Sequence, residues 1–126
     1  MTVPAFTVDS TRLEAAEVLT LVGEADAYLL HRLQDELARL LDRPRPLVVS
    51  FERTTFVDST ILSALIGAAR DGEERGKRIL FYLPRGAAYE VHRVFATTGL
   101  DSILPVHDSW DSIVAAMGAT PAARAS

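Results

Sequence analysis

The stretch LVVSFERTTFVDSTILSALIGAARDGEERGKRILFYL, residues 47–83, decides the fold. It begins and ends with apolar runs, at 47–51 and 79–83, of the kind found in strands that are buried on both faces of a sheet. Between these runs, apolar residues recur at helical spacing: Ile61, Leu62, Leu65, Ile66 and Ala69. A strand, a helix and another strand in this order predict a right-handed crossover between parallel strands.

The same alternation continues on both sides of this stretch. Further strands are predicted at residues 18–22 and, at a sheet edge, 103–106, with residues 5–8 added by an antiparallel hairpin. Further helices are predicted from Asp26 to the prolines at 44 and 46, around Val91 and Phe95 up to Gly99, and at 109–117. We therefore predict one α/β domain over residues 1–118, with a mostly parallel central sheet of four to five strands and about four helices. A flexible tail is expected at 119–126.

Composition limits the classes of function. The formal net charge of -4 provides no general attraction to nucleic acid or to anionic membranes. The absence of cysteine excludes disulfides and thiolate metal sites. No signal peptide and no apolar run long enough to span a bilayer is visible, so we expect a cytoplasmic protein.

The sequence contains no recognisable catalytic or metal-binding motif. His31, His92 and His107 lack the spacing of metal ligands, and neither a nucleophile elbow nor a glycine-rich phosphate loop occurs. The lysine that a two-component receiver domain needs is missing from FYLPRG, at 81–86, so the acceptor site of such a domain does not assemble. We therefore predict a protein that is not an enzyme, with no catalytic residues, no metal site and no cofactor.

Two polar segments follow predicted strands: GEAD at 23–26 and VDST at 57–60. Because the carboxyl ends of parallel strands meet at one sheet edge, we expect these segments to be neighbours. Glu24, Asp26, Asp58, Ser59 and Thr60 would then form a recognition site. Taken alone, Asp58, Ser59 and Thr60 are better explained as a helix cap than as a functional site.

In combination, these segments resemble the STAS domain family, specifically the bacterial anti-sigma factor antagonists. GEAD is similar to the family's GELD-type turn, and FVDST, at 56–60, to its acceptor segment. The segment at 87–117, with its TGL turn, is similar to the family's carboxyl-terminal part. The resemblance covers roughly residues 5–117.

The resemblance implies a regulatory module that binds an anti-sigma factor of the serine-kinase type and is switched off by phosphorylation. Thr60 is then the candidate acceptor, with Ser59 as its neighbour. A serine/threonine phosphatase is a further candidate partner. No direct nucleic-acid or membrane partner is expected, and the oligomeric state is left open between a monomer and a weak dimer.

The chain departs from the family after the acceptor segment, where Gly-Leu-Gly is common and this sequence has Ile61-Leu62-Ser63. The predicted partner-binding residues are Glu24, Asp26, Asp58, Ile61 and Ser63. Two alternatives remain open. One is a scaffold subunit of a stressosome-like assembly, and the other is a small-ligand or nucleotide-sensing STAS module.

Overall fold

The computed structural model describes residues 5–13 and 16–117, with all of their side chains except those of residues 11 and 12. Within these residues the strands are β1 (Phe6–Leu13), β2 (Ala16–Leu21), β3 (Gly23–Ala25), β4 (Leu47–Ser50), β5 (Thr54–Val57), β6 (Ile79–Tyr82) and β7 (Val106–His107). The α-helices are α1 (Leu30–Leu41), α2 (Ser59–Glu74), α3 (Tyr89–Thr98) and α4 (Trp110–Ala116). The tail predicted at 119–126 lies outside the described residues, as does the predicted domain end at 118.

Five of the strands form the main sheet, in the order β1-β2-β4-β6-β7. β1 pairs antiparallel with β2, and the three remaining pairings are parallel. The predicted mostly parallel α/β fold with about four helices is therefore confirmed. The predicted hairpin at the amino-terminal end is also confirmed, because Val8 lies opposite Leu19.

The edge strand was predicted at residues 103–106. In the structure the edge strand is β7, which lies further along the chain at Val106–His107. Residues Leu100–Ser102 form a turn of 3-10 helix, and the Leu104 amide donates a hydrogen bond to the Leu100 carbonyl at 2.9 Å. The hydrogen bonds of this turn use backbone groups that a strand beginning at residue 103 would need for pairing with β6.

A second, two-stranded sheet pairs β3 with β5 in parallel. The sequence prediction treated residues 23–26 as a turn and predicted a short connection, not a strand, between the strand at 47–51 and the polar segment at 57–60. Gly23 turns the chain out of β2 with a φ of 76°, a conformation that favours glycine. The Thr54 hydroxyl donates a hydrogen bond to the Leu21 carbonyl at 2.8 Å and joins β5 to the main sheet.

Both faces of the main sheet are covered, as the continuous apolar runs predicted. Leu47, Val49 and Phe81 belong to the larger core, which lies under α1, α2 and α3. Val48, Leu80 and Tyr82 belong to the smaller core, with Ile113 of α4. In the described part of the chain, no helix has the length and apolar character needed to cross a membrane.

Candidate functional site

The pairing of β3 with β5 brings the two polar segments together. Ala25 lies opposite Val57 in the parallel register, and the Asp58 amide donates a hydrogen bond to the Ala25 carbonyl at 3.1 Å. The segments at 23–26 and 57–60 are therefore neighbours, as predicted from the parallel sheet.

Two aspartates of this site begin helices. The Asp58 carboxylate accepts a hydrogen bond from the Ile61 amide at 3.0 Å and caps α2. The Asp26 carboxylate accepts one from the Tyr28 amide at 3.1 Å and caps the 3-10 turn before α1. These bonds satisfy amide groups that a helix start leaves without partners.

The hydroxyls of Ser59 and Thr60 are not part of the cap. Neither makes a hydrogen bond to any residue that the structure describes, whereas the Ser109 hydroxyl caps α4 by accepting from the Ser112 amide at 3.1 Å. Ser59 is exposed and Thr60 is partly buried. Because Asp58 serves as the cap, the Ser59 hydroxyl is left free for another role.

Two shallow grooves flank this start of α2. The α1–α2 groove is lined by Leu30, Gln34, Ser59, Thr60, Ser63 and Ala64. The α2–α3 groove is lined by Phe56, Val57, Asp58, Ser59, Leu62, Arg93, Val94, Thr97 and Thr98. Ser59 lines both grooves and therefore lies on the ridge between them.

The α2–α3 groove is largely apolar, although two threonines line it. The hydroxyl of Thr97 donates to the Arg93 carbonyl and that of Thr98 to the Val94 carbonyl, at 2.5 Å and 2.6 Å. Arg93 itself forms an ion pair with Glu90 at 2.9 Å. The polar groups of α3 are thus engaged within the helix, and the groove offers a partner mainly hydrocarbon surface.

Two exposed aromatic side chains near the site were not predicted from the sequence. Tyr28 is 96% exposed and Phe56 is 40% exposed. Tyr and Phe are enriched at the centres of protein interfaces. Strand alternation gave no signal for Phe56, because β5 buries Thr54 and Val57 and exposes the two residues between them, which is not a period of two.

The predicted partner-binding residues differ in accessibility. Glu24 and Ser63 are exposed, and Asp26 and Asp58 are partly buried. Ile61, in contrast, is completely buried in the larger core. Its side chain does not reach the surface, so including Ile61 in the partner-binding set does not agree with the structure.

The surface around the start of α2 carries both polar and apolar groups. It combines three carboxylates, two free hydroxyls and hydrocarbon grooves. Over residues 5–13 and 16–117, no three side chains of the metal-ligating types come together. The arrangement can accept a covalent group on a hydroxyl and can present an apolar and acidic surface to another protein.

Comparisons with known proteins identify the fold. The structure is similar to that of the anti-sigma factor antagonist SpoIIAA in its unphosphorylated form, with 22% identity over 90% of this chain and 97% of that chain and a TM-score of 0.71. An anti-sigma factor antagonist from Mycobacterium paratuberculosis is also similar, with 21% identity over 91% of this chain and 97% of that chain and a TM-score of 0.72.

The Bacillus cell fate determinant SpoIIAA in the phosphorylated form is a third similar structure, with 20% identity over 90% of this chain and 98% of that chain and a TM-score of 0.65. A search of curated proteins gave no match. A family model described as "Mlab, STAS domain" matches residues 8–105, more than half of the sequence. The chain therefore belongs to the STAS domain family.

Proposed function

We propose that this chain is an anti-sigma factor antagonist, a cytoplasmic regulatory module without catalytic activity of its own. In this proposal it binds an anti-sigma factor of the serine-kinase type through the surface around the start of α2. Phosphorylation in the Asp58-Ser59-Thr60 segment weakens that binding, and a serine/threonine phosphatase restores it. The proposal rests on family membership and on the geometry of one serine.

That serine is Ser59, whose position is the observation that carries the proposal. It is exposed, its hydroxyl has no partner among the described residues, and it lies between the two grooves. A partner that fills either groove would contact it. A modification at this position would therefore affect docking directly.

The fold should tolerate a phosphate here. A phosphoryl group adds about -1.5 to -2 charges and three acceptor oxygens. At the first residue of α2 it would lie beside free amides and the positive end of the helix dipole. The cap made by Asp58 does not use the serine, so the helix start would be retained.

The partner, by contrast, should be sensitive to the phosphate. Glu24, Asp26 and Asp58 already make this surface acidic. A further charged group beside an apolar groove would have to lose its hydration on docking, which is costly unless the partner supplies a cation. We therefore expect phosphorylation to weaken the complex.

The two candidate acceptors are not equivalent. Thr60 matches the position expected from the family resemblance, but it is partly buried. A kinase active site must reach the hydroxyl oxygen, and exposure favours Ser59. We therefore place Ser59 first and keep Thr60 as the second candidate.

The nucleotide-sensing alternative is disfavoured at this surface. Free amides at the start of α2 can accept a single phosphate, but the several charges of a nucleotide polyphosphate also require cationic side chains. Among the described residues, Arg93 is the one arginine that lines either groove, and it pairs with Glu90. The scaffold alternative predicts a stable large particle, which size-exclusion chromatography with light scattering would detect.

The proposal is tested by capture of the cognate kinase-type anti-sigma factor on immobilised protein, without and with ATP. We expect a complex without ATP that dissociates when ATP is added. The Ser59→Ala variant should form the complex but should keep it in the presence of ATP.

Ser63→Ala is the matched control, because Ser63 is an exposed serine one turn further along α2 and lines the same α1–α2 groove. It should release the partner as the wild type does. A wild-type chain that forms no complex would contradict the proposed function. A complex that ATP dissolves equally well in both the Ser59→Ala and the Thr60→Ala variants would contradict the switch.

A further inference from the structure

A second concave surface lies at the carboxyl-terminal end of α2, away from the site described above. It is a cleft of about 380 Å³ between the last turns of α2, the start of β6 and the segment that leads into β7. We call it the rear cleft. Its volume falls within the range of small-molecule sites in proteins, which begins at about 300 Å³.

The floor of the rear cleft is apolar. Ile66 and Ala69 of α2, Ile79 of β6 and Leu104 line it. Ile103 lies at the same cleft and is 67% exposed, which makes it one of the few large apolar side chains left in solvent. A ligand with a hydrocarbon body would remove this surface from water, which stabilises a complex by about 25 cal/mol for each Å² of apolar surface buried.

Two arginines at the cleft have no side-chain partner among the described residues. Ten arginine side chains are described, and seven of them bind a carboxylate, a carbonyl or an aromatic ring within the chain. Among the described residues, the three without such a contact are Arg53, Arg70 and Arg78, and the latter two both line the rear cleft. Two free guanidinium groups at one apolar cleft match a ligand that carries an anion.

The other charged residues at the cleft set the charge of the ligand. The Lys77 ammonium donates hydrogen bonds to the carbonyls of Leu40, at 2.9 Å, and of Arg43, so it is engaged at the end of α1. Glu73 also lines the cleft and repels anions. The balance of two free arginines against one glutamate suits a ligand with a single anionic group.

We propose that the rear cleft binds a small amphiphilic anion, in which one carboxylate or phosphate group contacts Arg70 and Arg78 and a compact hydrocarbon body covers the apolar floor. Arg70 follows Ser59 by 11 residues, which is about 16 Å along the helix axis. The rear cleft is therefore a separate site from the surface used in the proposed function, and either proposal could fail without the other.

The experiment titrates isotope-labelled protein with octanoate and follows backbone amide shifts by NMR. Octyl phosphate replaces the carboxylate by a phosphate, acetate tests the charge alone, and 1-octanol tests the hydrocarbon alone. We expect saturable shifts in the second half of α2 and in residues 103–105 with the two amphiphilic anions, and much weaker binding of acetate and 1-octanol.

The variants Arg70→Gln and Arg78→Gln should each raise the dissociation constant by about tenfold, the effect of losing one charge-assisted hydrogen bond. Arg53→Gln is the matched control, since Arg53 is the third free arginine and does not line the cleft; it should leave the constant unchanged. Non-saturable shifts, shifts confined to other residues, or equal binding of 1-octanol would overturn the proposal, as would an equal loss in the Arg53→Gln variant.

Discussion

The two ends of α2, a helix of 16 residues, carry different polar groups. At the amino-terminal end Asp58 caps the helix while Ser59 is left free. At the carboxyl-terminal end Arg75 pairs with Asp42 and Asp71, while Arg70, one turn earlier, is left free. Each end thus combines a polar residue that stabilises the fold with one that the fold does not need.

The helix dipole stabilises acidic groups near the start of a helix and basic groups near its end. The last turns of α2 nevertheless carry Asp71, Glu73 and Glu74 together with Arg70. Charge alone therefore does not distinguish a functional residue from a structural one in this chain. The distinguishing property is whether the hydrogen-bonding capacity of the side chain is already used within the protein.

The largest expected effect tests whether the affinity for the anti-sigma factor depends more on the position of an added negative charge than on the net charge of the protein. Ser59→Asp should lower the affinity for the anti-sigma factor by at least about tenfold, because a hydrated carboxylate on the ridge opposes docking. The double variant Arg70→Gln, Arg78→Gln lowers the net charge by two at the other end of α2 and should change this affinity less than twofold. Isothermal titration calorimetry measures both constants.

A similar loss of affinity in both variants would mean that total charge, rather than the start of α2, controls binding. An unchanged affinity in Ser59→Asp would remove the ridge from the proposed contact surface.

The next effect concerns Glu17, which is the one acidic residue that is buried among the described residues. Glu17 is 2% exposed, and its carboxylate accepts a hydrogen bond from Arg43 at 3.0 Å. Burial raises the pKa of Glu17, but hydrogen bonds from Ser10 and Arg43 and the charges of Arg43 and Arg45 outweigh it and lower the pKa. Arg43→Gln removes the ion pair and should reduce the free energy of unfolding by about 1–2 kcal/mol at neutral pH.

The direction of the pH dependence follows from that lowered pKa. The ionised carboxylate stabilises the folded state above its ordinary pKa of 4.5, and this contribution is lost as the pH falls through the lower value of the folded state. Urea unfolding between pH 7 and pH 3 should therefore show a steeper loss of stability in the wild type than in Glu17→Gln. Equal slopes would contradict the assigned role of Glu17.

The smallest effect compares two glycines within α2. A Cβ on Gly67 would meet no atom within 4 Å, so Gly67→Ala should stabilise the protein by about 0.5–1 kcal/mol through helix propensity. A Cβ on Gly72 would lie 2.8 Å from Ile79 Cδ1 and 3.3 Å from the Lys77 carbonyl oxygen. Gly72→Ala should therefore destabilise by about 1 kcal/mol.

Thermal unfolding of the two glycine variants gives the comparison directly, because the chemical change is identical. If Gly72→Ala were as stable as Gly67→Ala, the packing of the last turns of α2 against β6 would be looser than described.

Much of the fold could be predicted from periodicity, and the failures have physical causes. The long helices and the buried strands β4 and β6 give strong patterns, and Gly99 ends α3 with a φ of 73°, as its type and position predicted. β3 has three residues and β5 has four, which is too short for a clear alternation. Their pairing depends on contacts between distant residues that no local pattern contains.

The proximity of residues 23–26 and 57–60 was predicted from the sequence, and the errors concern which side chains are accessible. Ile61 shares a buried face of α2 with Leu65 and Ala68, and the helical spacing contained that signal. The free hydroxyl of Ser59 could not be predicted, because either the aspartate or the serine could have been the cap. The rear cleft could not be predicted either, since its walls come from three separate segments.

The most direct test of the central claim is to locate the phosphate by tandem mass spectrometry after incubation with the cognate kinase and ATP. The account predicts one phosphate per chain, on Ser59, with modification lost in Ser59→Ala and retained in Ser63→Ala. Phosphate on Thr60 would contradict the proposal that Ser59 is the acceptor because it is the more exposed of the two residues. A chain that carries no phosphate in residues 58–60 would contradict the claim that the start of α2 is the switch.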